Sequence, residues 1–293
     1  MHNAAMNSTL TLRHGDLLCE IKPELGGSIA GLWLGTDPVL TSLPGAQMQT
    51  VRQSASYPLV PFSNRIGHGQ LQWAGTSHPL IKNFDPEPHA IHGVGWQRPW
   101  AVLESNEEFA LLSFEHKADA SWPFDFDCSQ AFKLEAGALE MTLSITNQSP
   151  VSAPVGLGWH PYFPKRPGTE VQFSATGRWE MGSDKLPTHR VAHPGLHQTL
   201  ESLTVDHCFD GWGGVLTLHD SVMRVRVSSA LSHLVVYTNP ERDNIAVEPV
   251  SHVNNALNLL AQTGAAGGDL GVVVLQPGQT YSCEMRIDVE RAL

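Results

Sequence analysis

Hydrophobic and polar residues alternate along three long segments of the chain. In LEMTLSITN, the apolar positions 139, 141, 143 and 145 fall on one side of an extended strand, and polar residues fall on the other. The segments MRVRVSS (223–229) and YSCEMRIDVE (281–290) follow the same rule. Because successive side chains of a strand point to opposite faces, this period of two predicts strands with one buried face. Such strands are typical of antiparallel sheets.

Helical spacing is rare, and the best candidate is the short segment VNNALNLLAQ at 253–262. The 26 Gly and 20 Pro are spread along the chain, as expected for many short strands joined by turns. No change of composition marks a linker, and GAAGGD at 264–269 is predicted to be a flexible loop. We therefore expect an all-β fold, a large antiparallel two-layer β-sandwich that forms one domain over residues 1–293.

Charge and composition narrow the classes of partner. The net charge of −11 provides no basic surface for nucleic acid or an anionic membrane, so a small neutral polar substrate is the better expectation. Cys19, Cys128, Cys208 and Cys283 are far apart and are predicted to be reduced, buried thiols. The N-terminal sequence lacks a signal-peptide pattern, and no run of 18 apolar residues occurs. We expect a cytoplasmic protein, either a monomer or a homodimer.

Several catalytic classes lack their sequence signatures. The 15 histidines include no H-E-x-x-H and no cluster with cysteine, so no metal site is predicted. The segments HGVGWQ and GLGWHP offer G-x-G without the third glycine of a dinucleotide-binding loop. No serine lies in G-x-S-x-G, which argues against an α/β-hydrolase. We predict that no cofactor is required.

Four titratable residues lie in apolar, turn-rich surroundings. They are Arg65 in PFSNRIGHG, His92 in AIHGVGW, His160 in GLGWHPYFP and Glu248 in NIAVEPVSH. Each has an ordinary structural explanation, because a single Arg is usually an ion-pair partner and a single buried His is usually hydrogen-bonded. Only the combination favours a functional site.

In combination with their neighbours, these residues resemble the aldose 1-epimerase, or galactose mutarotase, family. The matching pieces occur in the family's order. They are NRI followed by G-x-x-x-W at 64–73, the HG of AIHGVGW at 92–93, HPYF at 160–163, DHCF at 206–209 and VEPVSHVNNALN at 247–258. The resemblance implies a galactose mutarotase-like supersandwich with a sugar cleft across one sheet, and it covers effectively the whole chain.

The resemblance also implies a role for individual residues. Glu248 matches the family's catalytic base and His160 its catalytic acid. Arg65, His92 and Asp206 match residues that hold the sugar, although Asp210 is an alternative to Asp206. Asn64 and Trp159, the neighbours of Arg65 and His160, are expected to contribute to substrate binding. The family's common His-Gly-Gly is His-Gly-Val-Gly here, and the segment after Glu248 lacks the acidic residue before Ala that many members have.

Exchange of anomers needs a base for the anomeric hydroxyl and an acid for the ring oxygen, and a Glu and a His provide this pair. Three alternatives remain open. A hexose-6-phosphate 1-epimerase would need clustered arginines, of which only Arg65 and Arg98 lie near the motifs. A non-catalytic carbohydrate-binding protein would not need both His160 and Glu248. A glycoside hydrolase would need a second carboxylate beside Glu248.

Overall fold

The structure is a computed structural model that describes residues 9–263 and 270–292. The predicted GAAGGD loop lies outside the described residues.

Short antiparallel strands account for most of the regular structure. The strands of the first half of the chain are β1 (Leu10–His14), β2 (Leu17–Lys22), β3 (Ser28–Leu34), β4 (Asp37–Pro38), β5 (Pro58–Leu59), β6 (Arg65–Ile66), β7 (Gln70–Trp73), β8 (Thr76–Pro79), β9 (Ala90–Ile91), β10 (Ala101–Ser105), β11 (Phe109–His116), β12 (Phe126–Glu135) and β13 (Ala138–Asn147). Those of the second half are β14 (Ala153–Val155), β15 (Gly158–Trp159), β16 (Tyr162–Pro164), β17 (Glu170–Ser174), β18 (Gly177–Met181), β19 (Pro187–Ala192), β20 (Gly195–Thr199), β21 (Val205–Asp210), β22 (Val215–His219), β23 (Met223–Ser229), β24 (His233–Thr238), β25 (Asn244–Val250), β26 (Val273–Leu275) and β27 (Thr280–Arg291).

Helical structure is short, as predicted. The helix α1 (Ala256–Thr263) occupies most of the predicted segment. The 3-10 helices of the described chain are Gly45–Gln47, Val51–Gln53, Gly67–Gly69 and Gly95–Gln97. The side chain of Asn258 attaches α1 to β7, because its Oδ1 accepts from Gln72 N–H at 2.9 Å and its Nδ2 donates to Gln70 O at 2.9 Å.

Two large sheets form the two layers. A nine-stranded sheet has the order β10-β11-β12-β13-β27-β23-β22-β17-β20. An eight-stranded sheet has the order β19-β18-β21-β24-β25-β15-β5, and β16 also pairs with β25. A four-stranded sheet, β1-β2-β3-β4, contributes to the same hydrophobic core. The prediction of an all-β antiparallel sandwich is therefore confirmed.

The three alternating segments are neighbours in the nine-stranded sheet, where β27 lies between β13 and β23. Apart from the half-buried Tyr281, their apolar positions are buried and their polar positions are more exposed, as the pattern predicts. The turn from β12 to β13 is tight because Glu135 pairs with Ala138, and Gly137 adopts a φ of +69° that favours glycine.

The core between the two sheets is built from facing apolar side chains. Leu143 and Ile145 of β13 contribute from one layer, and Phe209, Leu234 and Val247 contribute from the other. All four cysteines are free and buried, which confirms the prediction for them. No helix among the described residues has the length and apolar character needed to span a membrane.

The eight-stranded sheet also has a hydrophobic cluster on its other face, and we call this set of residues the outer-face cluster. Its members are Tyr57, Leu59, Ile91, Trp96, Trp179, Cys208, Val235, Val250, Val253, Ala256 and Leu270. Strand alternation explains the separation: Phe209 and Leu234 point into the core, while the adjacent Cys208 and Val235 point to the outer face.

We expect Leu143→Ala to lower the free energy of unfolding by about 2–5 kcal/mol, because this fully buried side chain would leave a cavity between the layers. Urea denaturation measures the change. Thr142→Ala is the matched control on the opposite face of β13 and should change the free energy by about 1 kcal/mol or less. Equal losses in the two variants would contradict the assignment of the faces.

Candidate active site

Glu248 and His160 meet on the outer face of the eight-stranded sheet. Glu248 lies in β25 opposite Val235 of β24, a member of the outer-face cluster, so its carboxylate points to that face. His160 follows β15, and its N–H donates to Tyr57 O at 3.0 Å. The His160 Nε2 atom is 3.1 Å from Glu248 Oε1. The two groups that the resemblance pairs as acid and base are therefore in direct contact.

Burial controls the protonation of this pair. Desolvation, with a smaller contribution from the positive charge of Arg242, lowers the pKa of His160 to about 3. Desolvation also raises the pKa of Glu248 well above its usual value, with Asp206 adding to the rise and Arg65 opposing it. Since neither group ionises easily without the other, the pair holds one proton near neutral pH and carries no net charge.

Aromatic rings surround the imidazole of His160. The Tyr57 ring stacks on it at a centroid distance of 4.9 Å, and the Tyr162 ring lies at 4.5 Å. The Tyr162 hydroxyl lies 3.5 Å from His160 Nε2 and 3.5 Å from the Tyr57 hydroxyl. Burial raises the pKa of Tyr162 to about 12, so this hydroxyl stays protonated at neutral pH. These rings exclude water and fix the orientation of the imidazole.

His92 lies edge-on to His160, with the ring centroids 5.1 Å apart. Desolvation lowers the pKa of His92 well below its usual value, and the nearby His160 and Arg65 act in the same direction. His92 is therefore neutral. Its Nδ1 atom is buried without a hydrogen-bond partner among the described residues, so it is available to a ligand.

Arg65 is held in place by a buried ion pair. Its Nε donates to Glu87 Oε1 at 2.8 Å, and its Nη1 donates to Asn64 Oδ1 at 3.1 Å. Burial alone would raise the pKa of Glu87, but the hydrogen bond and charge of Arg65 bring it below the usual value. Asn64 thus orients the guanidinium, and Glu87 is a partner that no sequence motif indicated.

The backbone is strained where Arg65 and His92 enter the site. Asn64 has a φ of 52° and His92 a φ of 62°, both in the left-handed region that non-glycine residues seldom adopt. The N–H of His92 donates to Asn64 O at 2.8 Å, and this bond joins the two strained positions beside the β6–β9 pair. Strain of this kind is concentrated at functional sites.

Asp206 and Asp210 lie on the same face of β21 but differ in their partners. Asp210 accepts from Arg190 Nε at 2.6 Å and from Trp179 Nε1 at 2.9 Å. The carboxylate of Asp206 has no hydrogen bond or ion pair with any described residue, and its charge acts on Glu248. The geometry therefore leaves Asp206, not Asp210, free for a ligand.

Trp159 is placed away from this site. Its ring is 1% exposed in the core between the two sheets, and its Nε1 donates to Gln130 Oε1 at 3.0 Å. Adjacent residues of extended backbone point to opposite faces, so Trp159 points into the core while His160 points to the outer face. The expected substrate contact of Trp159 is corrected accordingly.

Arg242 lies near the site and was not identified from the sequence. Its guanidinium carbon is 4.8 Å from the ring centroid of Tyr237, which pairs with Asp206 across β21 and β24. Its Nε and Nη2 donate to Asn244 Oδ1 at 3.1 and 2.9 Å. In the described part of the chain, no carboxylate lies within 4.0 Å of this guanidinium.

Residues 9–263 and 270–292 contain no group of three or more His, Cys, Asp or Glu that could hold a metal ion.

Comparison with known proteins identifies the class of this chain. The family model for aldose 1-epimerase matches residues 8–288, so the chain belongs to the aldose 1-epimerase family.

Individual relatives share the whole fold. The uncharacterized protein YphB of Escherichia coli K12 is 30% identical over 299 residues, which cover 96% of this chain and 98% of YphB. The crystal structure of a candidate aldose 1-epimerase from E. coli K12 superposes with a TM-score of 0.86 at 28% identity, covering 97% of this chain and 99% of the other. A galactose mutarotase-like protein of Clostridium acetobutylicum gives a TM-score of 0.83 at 18% identity, with coverage of 97% and 95%. The fold is therefore the galactose mutarotase-like sandwich.

We expect Asp206→Asn to move the titration of Glu248 to lower pH, because the variant removes a negative charge that raises the pKa of that carboxyl. Carbon-13 NMR of the Glu248 side-chain carboxyl measures the shift. Asp210→Asn is the matched control: it should leave the titration in place but lower the Tm, since Arg190 and Trp179 lose a charged partner. The reverse pattern would show that Asp210 is the carboxylate that acts on the pair.

Proposed function

We propose that this protein is an aldose 1-epimerase that interconverts the α and β anomers of a free aldose by acid–base ring opening and closure. The observation on which the proposal depends is the 3.1 Å contact between His160 Nε2 and Glu248 Oε1. A donor and an acceptor this close can serve the two oxygens bonded to one anomeric carbon.

The single proton of the pair is sufficient for the whole cycle. In the form with an imidazolium and a carboxylate, Glu248 takes the proton of the anomeric hydroxyl while His160 gives its proton to the ring oxygen. The C1–O5 bond breaks, and the open-chain aldehyde forms beside a protonated Glu248 and a neutral His160. Rotation about the C1–C2 bond presents the other face of the aldehyde. Closure then reverses both transfers, so the pair returns to its starting form.

Desolvation favours one of these two forms. Burial disfavours both charges, so the favoured form is the neutral one, in which the proton is on Glu248. In the proposed cycle, this is the form of the pair that accompanies the open-chain aldehyde. The surrounding tyrosine rings exclude water, which would otherwise solvate the charged form and reduce the free-energy difference between the two forms. His92, Arg65 and Asp206 are proposed to hold the remaining hydroxyls, since His92 Nδ1 is buried without a partner and the carboxylate of the half-buried Asp206 forms no ion pair among the described residues.

A binding protein without catalysis is the less favoured alternative. A module that only binds sugar has no need to bury a carboxylate against an imidazole, because an unpaired buried charge or polar atom reduces stability. Here Glu248 is 2% exposed and its Oε2 has no hydrogen-bond partner among the described atoms. Such a costly arrangement supports the catalytic proposal.

We expect Glu248→Gln and His160→Asn each to lower kcat by at least ~100-fold, because each removes one partner of the acid–base pair. Polarimetry of a freshly dissolved single anomer measures the rate. His116→Asn is the control, since His116 is equally buried but bonds to Trp122 O away from the site. Both site variants should retain the native circular dichroism spectrum. Rates near the wild-type value in either one would remove that residue from the mechanism.

Epimerisation of a phosphorylated aldose is a second candidate, and Arg242 is the observation that favours it. The two arginines near the motifs are both engaged, Arg65 by Glu87 at 2.8 Å and Arg98 by Asp119 at 3.1 Å. Arg242 is half-buried, acts on the pKa of His160, and has no carboxylate partner in the described chain. It is therefore the guanidinium best placed to accept an anionic substituent of the sugar.

For this second candidate, we expect Arg242→Met to lower kcat/KM for glucose 6-phosphate by about 10- to 100-fold, the loss of a charge-assisted hydrogen bond. The value for glucose should stay the same or rise, since a neutral sugar offers Arg242 no charge to bind and loss of this guanidinium makes His160 easier to protonate. Arg98→Met, at an exposed ion pair, is the control and should leave both values unchanged. A wild-type enzyme that prefers glucose, or an equal loss for both sugars, would exclude the phosphorylated substrate.

A further inference from the structure

Asn254 is a buried amide whose polar atoms have no protein partner. Its side chain is 1% exposed, and neither Oδ1 nor Nδ2 forms a hydrogen bond with any described residue. The neighbouring amides differ: Asn255 Oδ1 accepts from Gly67 N–H at 2.9 Å, and Asn258 bonds to two main-chain groups of β7. A buried amide without partners reduces stability, so contacts within the protein do not explain why Asn254 is buried.

The main chain places Asn254 over the outer face of the eight-stranded sheet. Val253, on one side, is fully buried in the outer-face cluster. The main chain of Asn254 lies close enough to the sulfur of Cys208 to oppose the rise that burial causes in the pKa of this thiol. On the other side, the N–H of Asn255 donates to Arg65 O at 3.0 Å. The segment therefore crosses from the sheet to the strand that carries Arg65, with Asn254 between them.

This position belongs to the same surface as the catalytic pair. Cys208 pairs with Val235, and Val235 pairs with Glu248 on its other side, so the three residues form one row across β21, β24 and β25. The charge of Glu248 acts on the Cys208 thiol and contributes to raising its pKa, after the larger effect of burial. Asn254 thus lies above one end of the row and Glu248 lies at the other.

Other polar atoms of this surface are unpaired in the same way. Glu248 Oε2, His92 Nδ1 and Trp96 Nε1 are buried and have no hydrogen-bond partner within the described chain. The residues that carry these atoms are neighbours: the His92 ring contacts the rings of Trp96 and His160, and His160 contacts Glu248. Unpaired polar atoms grouped on one surface are what a site for a polar ligand requires.

We propose that Asn254 is a substrate-specificity residue that binds two neighbouring hydroxyls of the sugar, distant from the anomeric carbon. This inference rests on the proposed sugar-binding function. A carboxamide presents one acceptor and two donors, and a pair of hydroxyls can both donate and accept, so both halves of the amide are satisfied. An anionic group accepts only, and it would leave Oδ1 without a partner.

The test replaces Asn254 by an apolar residue of similar size. Asn254→Leu removes two unpaired polar atoms, so the Tm should stay the same or rise. At the same time kcat/KM should fall by about 10-fold or more, mainly through KM, since ground-state and transition-state contacts to the hydroxyls are lost together. Asn258→Leu is the matched control: its amide is fully bonded to β7, so its Tm should fall.

Deoxy sugars separate a hydroxyl contact from a general defect. For the wild type, removal of either of the two partner hydroxyls should lower kcat/KM part of the way to the level of the variant. For Asn254→Leu, the same deoxy sugar should cause no further loss, because the interaction is already absent. An equal additional loss for every deoxy sugar, or a lower Tm with unchanged kcat/KM, would overturn the inference.

Equilibrium binding keeps this test separate from the test of catalysis. Calorimetric titration of the same sugars into Glu248→Gln protein, with and without Asn254→Leu, requires no turnover. Weaker binding in the double variant, combined with a wild type that shows no epimerase activity, would support the role of Asn254 and reject the proposed catalysis. Unchanged binding in the double variant would reject the role of Asn254, and no binding of any sugar would reject both.

Discussion

The contact between Glu248 and His160 places two ionisable groups where little water reaches either one. Their exposures are 2% and 6%, and the rings of Tyr57 and Tyr162 cover the imidazole. Desolvation disfavours the charged form of both groups, so the pair keeps a single proton. The rest of the site depends on this constraint, because a proton that stays within the pair can reach only the partner residue or a bound ligand.

The sheet and its connections maintain this contact from several directions. Glu248 is fixed in the middle of β25, between strands on both sides. His160 is attached through its N–H to Tyr57, and the strained Asn64 and His92 are joined by a main-chain hydrogen bond. A buried pair and left-handed non-glycine residues both reduce stability locally. The large core between the two layers offsets that cost.

Sequence patterns predicted what depends on short-range periodicity, and they missed what depends on distant contacts. The faces of β13, β23 and β27 follow from a period of two, and the structure confirms them. The same rule, applied to the step from position 159 to 160, would have directed Trp159 into the core. By contrast, the choice between Asp206 and Asp210 depends on Arg190, which lies in another strand. The positions of Glu87 and Arg242 likewise depend on partners that no local motif specifies.

The positive charge of Arg242 affects the protonation of His160 in the pair that it forms with Glu248. The guanidinium of Arg242 opposes protonation of His160 and contributes to its low pKa. An anionic substituent bound to Arg242 would compensate that positive charge and would raise the pKa of His160, which favours the imidazolium needed for ring opening. Asn254, which precedes the residue bonded to the main chain of Arg65, is neutral and suited to hydroxyls. In the proposed function, Asn254 would thus recognise hydroxyls of the sugar, while a negative charge on the sugar would act on the catalytic proton through Arg242.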